Sequence, residues 1–336
     1  MIQLKLLDNC DEEVWDNLVA SSDEGTIFHT FAWMRVIEKM YKAEKLPLGI
    51  FNDTKLIGVL PLFRTYRGPL TILASPLGNG YGGPLVNHPG YEEGVSERLD
   101  NLLKRFGADY IEFRPINKLA PTALMDRNYT IRELQTYKLF LNQGLSKLWN
   151  NLQSRCRRAI RKAQKNNLEI VDATDKSVLN VYYEMAKDTY ARSSRRPPFS
   201  LQDYATIWGT LKPYERIKVL LARYEGQIIA GVIALCFRDR VYALDSAAFR
   251  EYLSLNPNNL LQWVLIEWGA NNGLTQYDFM GSNIPRIAHF LESFGGELQT
   301  YTYAYKDITL PAYIGRRIYC WLVPQFRRIQ VRLKPV

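Results

Sequence analysis

Histidine is scarce in this 336-residue chain, with three copies, His29, His88 and His289, far apart. Cysteine is nearly as rare: Cys10, Cys156, Cys236 and Cys320 are dispersed and form no CxxC pair. A zinc site needs clustered thiolates or imidazoles, so no metal is expected, and four isolated thiols fit a reducing compartment. No apolar run approaches the roughly 18 residues of a membrane span. The N-terminal stretch MIQLKLLDNCDEEVW turns acidic where a signal peptide keeps an apolar core. A cytoplasmic chain is the expectation.

Acid is missing from one segment in particular. Ser154 to Asn166 reads SRCRRAIRKAQKN, with Arg155, Arg157, Arg158, Arg161, Lys162 and Lys165 and no Asp or Glu. The chain as a whole carries a formal charge of +9, which favours anionic partners: phosphorylated metabolites, RNA or an anionic membrane surface. Leu145, Leu148, Leu152, Cys156, Ala159, Ile160 and Ala163 recur at helical spacing, so one long amphipathic helix is predicted from a cap near Ser146. Arg155, Arg158, Lys162 and Lys165 run along one side of it. A charge run is by default a solvated face, but an ordinary exposed helix carries acidic partners at i,i+4, and this one has none.

Length suits two domains, and the chain repeats itself. Leu48 to Phe63 (LGIFNDTKLIGVLPLF) reads as strand, turn, strand, and Leu221 to Cys236 (LARYEGQIIAGVIALC) has the same form, with Gly231 opposite Gly58. Upstream, Phe31-Ala32 matches Tyr204-Ala205. Downstream, Phe106-Gly-Ala108 leads into Tyr110-Ile-Glu-Phe113, as Trp268-Gly-Ala270 leads into Tyr277-Asp-Phe279. Each half is thus an α/β unit with a mixed sheet.

On these residues the chain resembles a known family, the two-domain GNAT-fold proteins that include the FemABX aminoacyltransferases and an acetyltransferase-like group of polysaccharide gene clusters. The first half contributes Ile27 to Trp33 (IFHTFAW), Gly58 to Leu62 (GVLPL) and Tyr81 to Val86 (YGGPLV). The second contributes Arg155 to Ala163, Leu260 to Gly273, Tyr277 to Gly281 (YDFMG) and Phe290 to Gly296 (FLESFGG). The resemblance implies an α/β fold of two tandem GNAT-like domains, 1–140 and 141–310, followed by a basic amphipathic tail, 311–336. It implies acyl or aminoacyl transfer to an amine, with the donor in the second domain and the acceptor in a cleft between the two. Duplex DNA is not expected as a partner, because no recognition motif and no basic run interleaved with stacking aromatics is present.

The family's donor site lies where two strands splay and a helix N-terminus follows. Here that points to Val241–Ser246, the loop to Pro257 and a helix beginning near Asn258. Arg250, Asn258 and Asn259 are the loop's candidates for donor phosphates, joined by Arg158 and Lys162. The glycine loop of CoA-dependent relatives is missing, and Leu291 stands where aminoacyl-tRNA users carry a lysine. The missing glycines weaken the CoA signal and the missing lysine weakens the aminoacyl-tRNA one; on Leu291 acyl-CoA is favoured as co-substrate, with Arg286 or His289 as substitutes for that lysine. General-base candidates are Asp245, Asp278 and Glu292, Asp278 matching Glu112 of the first half. For the acceptor, Arg195 and Arg196 before Pro197 match a family position on the diphosphate of a nucleotide-linked precursor; Arg35 and Lys39 supply a second basic pair.

The expected activity is acyl transfer to an amine of a phosphorylated or nucleotide-linked sugar or peptide precursor of the cell envelope or a polysaccharide. The alternatives are a peptidoglycan-bridge aminoacyltransferase using tRNA, although Asn166 to Arg223 leaves no room for a coiled-coil arm, and a non-catalytic protein binding RNA or an anionic polymer. The tail, Pro311–Val323 followed by Arg327, Arg328, Arg332 and Lys334, has the pattern of a helix that either packs on its own domain or contacts a membrane surface.

Overall fold

A computed structural model describes residues 1–87, 90–115, 124–281, 284–319 and 321. His88, Cys320 and the tail's Arg327, Arg328, Arg332 and Lys334 lie outside the described residues. The chain forms two compact units: Met1–Leu134 with Tyr301–Val336, and Gln135–Thr300.

The first unit runs β1 (Ile2–Leu6), α1 (Glu12–Ser21), α2 (Phe31–Tyr41), β2 (Glu44–Asn52), β3 (Lys55–Arg67), β4 (Leu70–Ser75), β5 (Leu85–Val86), α3 (Glu92–Arg105) and β6 (Tyr110–Phe113). After β7 (Thr130–Phe140), the second runs α4 (Leu145–Asn151), α5 (Ser154–Lys165), β8 (Glu169–Asp172), α6 (Val178–Ala191), α7 (Leu201–Leu211), β9 (Ile217–Tyr224), β10 (Gln227–Phe237) and β11 (Arg240–Ala248). It ends with α8 (Pro257–Asn271), β12 (Gln276–Asp278), α9 (Pro285–Glu292) and the start of β13 (Glu297–Asp307).

The strands of the first unit are ordered β1-β2-β3-β4-β6-β13, and those of the second β8-β9-β10-β11-β12-β7. In each, only the fourth and fifth strands, β4 with β6 and β11 with β12, run parallel. The tandem α/β architecture is therefore present, as the repeat implies. The sixth strand of each sheet comes from the other half of the sequence: Ala304–Asp307 of β13 pair with β6, and Lys138–Phe140 of β7 pair with β12. This exchange is why the units do not follow the simple division at 140 and 310.

Both hairpins bulge at the same place, but their registers show that the glycine match is off by one. Asn52 faces Lys55 and Ile50 faces Gly58; Tyr224 faces Gln227 and Ala222 faces Ala230. Gly58 thus corresponds to Ala230, and the two glycines serve different needs. A Cβ on Gly58 would stand 2.5 Å from the Leu85 carbonyl oxygen, where β5 comes in to pair. A Cβ on Gly231 would stand 2.9 Å from Leu221 and 3.0 Å from the Tyr182 ring. Each unit has its own apolar core: Leu48, Leu60, Leu99 and Ile111 in the first, Ile160, Val232, Leu261 and Ile266 in the second.

Candidate active site

Strand β11 is long and its parallel partner short. Arg240, Val241 and Tyr242 pair with Gln276, Tyr277 and Asp278, and there β12 ends. Ala243 to Ala248 continue beside β10 alone, and at the far end the Thr189 hydroxyl takes up the Ala248 amide (3.0 Å) and carbonyl (3.1 Å). Beyond the last rung Met280 and Gly281 take positive φ (59° and 115°) and turn the chain away. The first unit closes the corresponding place. Ile72–Ser75 of β4 pair with β6 throughout, the Arg114 amide donates to the Ser75 carbonyl (3.0 Å), and the Gly82 amide donates to the Arg114 carbonyl (2.9 Å). Among the described residues, a strand edge without a partner strand at this step exists only in the second unit; its Ser246 amide turns to the Asp245 carboxylate and its Ala248 amide to Thr189, so its open backbone groups lie short of Ala248. An extended amide chain can add to such an edge as a further strand would.

Asp245 lies on this stretch and is 8% exposed. Its carboxylate accepts from the hydroxyls of Tyr182 (3.2 Å) and Tyr190 (3.0 Å), and from Tyr204. Burial raises its proton affinity, which these three hydroxyls and the Ser246 amide oppose. Helices α6 and α7 bring the tyrosines in, and Gly231 leaves room for the Tyr182 ring. Burial and the Asp245 charge push the Tyr190 hydroxyl well above its ordinary 10, with Arg195 pulling the other way. A carboxylate with four donors has its lone pairs filled, which suits it to holding β11 against α6 and α7.

Past β11 the chain makes a 3-10 turn, Arg250–Leu255, and enters α8 through Asn256 at φ 58°. Asparagine tolerates this left-handed conformation, so the turn is made without a glycine. No side chain caps α8, and Pro257 occupies its first position, leaving the helix's positive end open for an anion. The side-chain oxygen of Asn258 is buried without a partner, whereas Asn259 donates to the Cys156 sulfur (3.7 Å). The Arg250 amide donates to Asp188 (2.6 Å) and its exposed side chain, with that of Arg286, bears electrostatically on Arg192. Arg192 reaches the Ala248 carbonyl at the end of the free edge (3.5 Å).

The predicted long helix is two helices, broken at Leu152 and Gln153, both with extended ψ. Arg157 occupies the break: its guanidinium donates to the carbonyls of Trp149 (3.4 Å), Asn150 (2.8 Å) and Leu152, which a continuous helix would use itself, while the Gln153 amide donates to the Ser293 carbonyl (2.9 Å). The cap of α4 is Gly144, not Ser146. Three basic side chains of α5 are thus in structural service, for Arg155 donates to the His289 carbonyl (2.6 Å) and Arg161 lies over the Trp149 ring. Arg158, Lys162 and Lys165 are exposed and bond to no described residue.

The remaining expected residues have separate settings. Asp278 is fully buried, accepts from Thr136 (2.7 Å) and the Met280 amide (2.8 Å), and so fastens the turn that ends β12. Glu292 is an exposed partner of His289 at 3.7 Å. Leu291 packs in the core, which explains its apolar character. Arg195 and Arg196 are exposed on the loop after α6. Arg35 is held by both oxygens of Glu12 (2.5 and 2.8 Å), while Lys39 is exposed. Sequence reasoning missed Lys138, a buried lysine on the last rung opposite Asp278, whose ammonium burial destabilises. It also missed the three tyrosines, whose convergence depends on how α6 and α7 pack. No metal-ligating group of three or more His, Cys, Asp or Glu occurs among the described residues.

The open strand edge and the uncapped helix after it both lie within the stretch that a family model matches. Residues 150–297 match the family model described as acetyltransferase (GNAT) domain, so the second half of the chain is a GNAT domain, that of an N-acyltransferase. The fold is similar to the crystal structure of FemX, at TM-score 0.74 and 15% identity over 89% of this chain and 96% of that one. It is also similar to a tandem GNAT protein from the clavulanic acid biosynthesis pathway (0.58, 11%, 91% and 98%). The C-terminal domain of a putative lysylphosphatidylglycerol synthetase from Agrobacterium fabrum is comparable (0.58, 11%, 90% and 94%). At such identities these likenesses concern the fold alone. No curated protein matches the sequence.

Proposed function

We propose that the protein transfers an acyl group from acyl-CoA to an amine on a phosphate-bearing precursor of the cell envelope or a polysaccharide. The observation that carries this reading is the strand edge Ala243–Ala247, without a partner strand beyond β12, running toward the uncapped start of α8. The donor's amide arm pairs with that edge, and its phosphates meet the α8 N-terminus, Arg250 and Arg286. The thioester supplies an activated carbonyl. The amine nitrogen bonds to it, the carbon–sulfur bond breaks, the thiolate leaves, and the amine's proton passes to water. The backbone N–H still open on this edge, short of the Ser246 amide held by Asp245 and the Ala248 amide held by Thr189, stabilises the oxygen's developing charge. Asp245 acts as a positioning residue, and Arg195 and Arg196 receive the acceptor's phosphate.

A second reading, aminoacyl transfer from tRNA, draws on the unpaired face of Arg158, Lys162 and Lys165. Thermal unfolding with acetyl-CoA, a nucleotide sugar and tRNA separates the two. Stabilisation by acetyl-CoA, weakened by Arg250→Ala with Arg286→Ala, supports the first. Stabilisation by tRNA alone, lost in Arg158→Glu with Lys162→Glu, would replace it with the second.

A further inference from the structure

We infer that the helix over 310–319, with the β3–β4 hairpin tip, is a docking surface for anionic lipid headgroups. The helix belongs to the first unit and is fastened from one side. The Ile308 amide donates to the Asp109 carbonyl (2.8 Å), and the Thr309 hydroxyl donates to the Asp109 carboxylate (2.8 Å). Arg316 grips Asp307 through Nε (2.9 Å) and Nη2 (2.5 Å) and lies over the Tyr305 ring, and Ala312 is buried. Leu70 stands 3.8 Å from where a Gly315 Cβ would be, which sets the hairpin tip, with exposed Tyr66 and Arg67, beside the helix.

The opposite side of the helix has no cover among the described residues. Leu310, Tyr313, Ile314, Ile318 and Trp321 recur at i, i+3, i+4, i+8 and i+11, one face of a helix, and are 68%, 40%, 47%, 50% and 64% exposed. Soluble surfaces do not ordinarily gather five large apolar side chains in a stripe.

Charge selects the occupant. From Ile308 to Val336 the sequence has six Lys or Arg (Arg316, Arg317, Arg327, Arg328, Arg332 and Lys334) and no acid. Arg317 lies within the stripe itself, over the Tyr313 ring. A second copy packed by two-fold symmetry would bring the two Arg317 side chains together in an apolar seam. At a lipid surface the same arginine extends to the phosphates, while tyrosine and tryptophan settle at headgroup depth and the isoleucines below.

The test is sedimentation of the full chain with phosphatidylcholine vesicles, with and without about one-third phosphatidylglycerol. Each basic side chain near an anionic surface is worth about fivefold in binding, so Arg67 and Arg317 together give a preference of about twenty-five-fold for the anionic vesicles, lost at high salt. Ile314→Glu with Ile318→Glu lowers binding at least about tenfold. Both positions are exposed, so the thermal midpoint stays unchanged and certifies the fold. Equal binding to both vesicles, or no effect of the double substitution, overturns the inference. So does a concentration-dependent dimer that the double substitution dissolves.

Discussion

Replacing Asp245 by asparagine separates a residue that organises the site from one that moves a proton. The substitution keeps one carbonyl oxygen and turns the other into an amide that only donates, facing hydroxyls that also donate. Three charge-assisted bonds from Tyr182, Tyr190 and Tyr204, each worth about 1.5–3 kcal/mol net, give way to one neutral bond of about 1 kcal/mol. The carboxylate's own desolvation, which raises its proton affinity, offsets part of the difference. The expected loss is about 3–4 kcal/mol, a large share of the 5–15 kcal/mol typical of a folded protein. Urea unfolding followed by tyrosine and tryptophan fluorescence reads it, with kcat measured well below the thermal midpoint. A clear stability loss with kcat per folded molecule changed less than about tenfold fits the positioning role. An unchanged midpoint with kcat down about 10²-fold or more would refute it and make Asp245 a general base.

Three further outcomes follow from the geometry. His29 is buried, its Nδ1 is 2.8 Å from the Thr26 hydroxyl, and burial lowers its value from 6.5 to about 4. The unfolded chain takes the proton first, so stability is whole above about pH 6.5 and falls as the pH drops toward 4, by about 3 kcal/mol in all. A His29→Gln variant should lack that part of the acid sensitivity when urea midpoints are compared across the range. Gly231→Ala is expected to lose about 1–3 kcal/mol by pressing on Tyr182 and Leu221, seen as a lower thermal midpoint. Arg157→Ala is expected to lose about 1–2 kcal/mol by freeing the carbonyls at the end of α4, with local amide exchange around Asn150 faster than in the parent.

The repeat was legible because hairpins are local: alternating apolar residues and a turn identify both within sixteen residues. Their register was not. The matched glycines Gly58 and Gly231 suggested an alignment one residue away from the true one, because β5 and Tyr182 each demand a glycine for unrelated reasons. The strand exchange was equally hidden, since β7 and β13 find partners far away in sequence. The apolar stripe from Leu145 to Ala163 was read correctly as helical but not as broken. Its interruption goes with contacts made only in the fold, the Arg157 guanidinium on its acceptors and the Gln153 amide on the Ser293 carbonyl. At the site, the splay after Tyr242 was anticipated from family likeness. The ring of hydroxyls around Asp245 required α6 and α7 to be in place. Near α8, where no glycine is present, Asn256 itself takes the left-handed conformation that turns the chain into the helix.

Hydrogen–deuterium exchange with and without acetyl-CoA tests the seat of the donor most directly. The expected result is new protection within Ala243–Ala247 and on the first turn of α8, with Ile72–Ser75 of β4 unchanged. Saturating acetyl-CoA that leaves Ala243–Ala247 exchanging as before, or that protects β4 instead, would contradict the assignment of the donor to the open edge of β11.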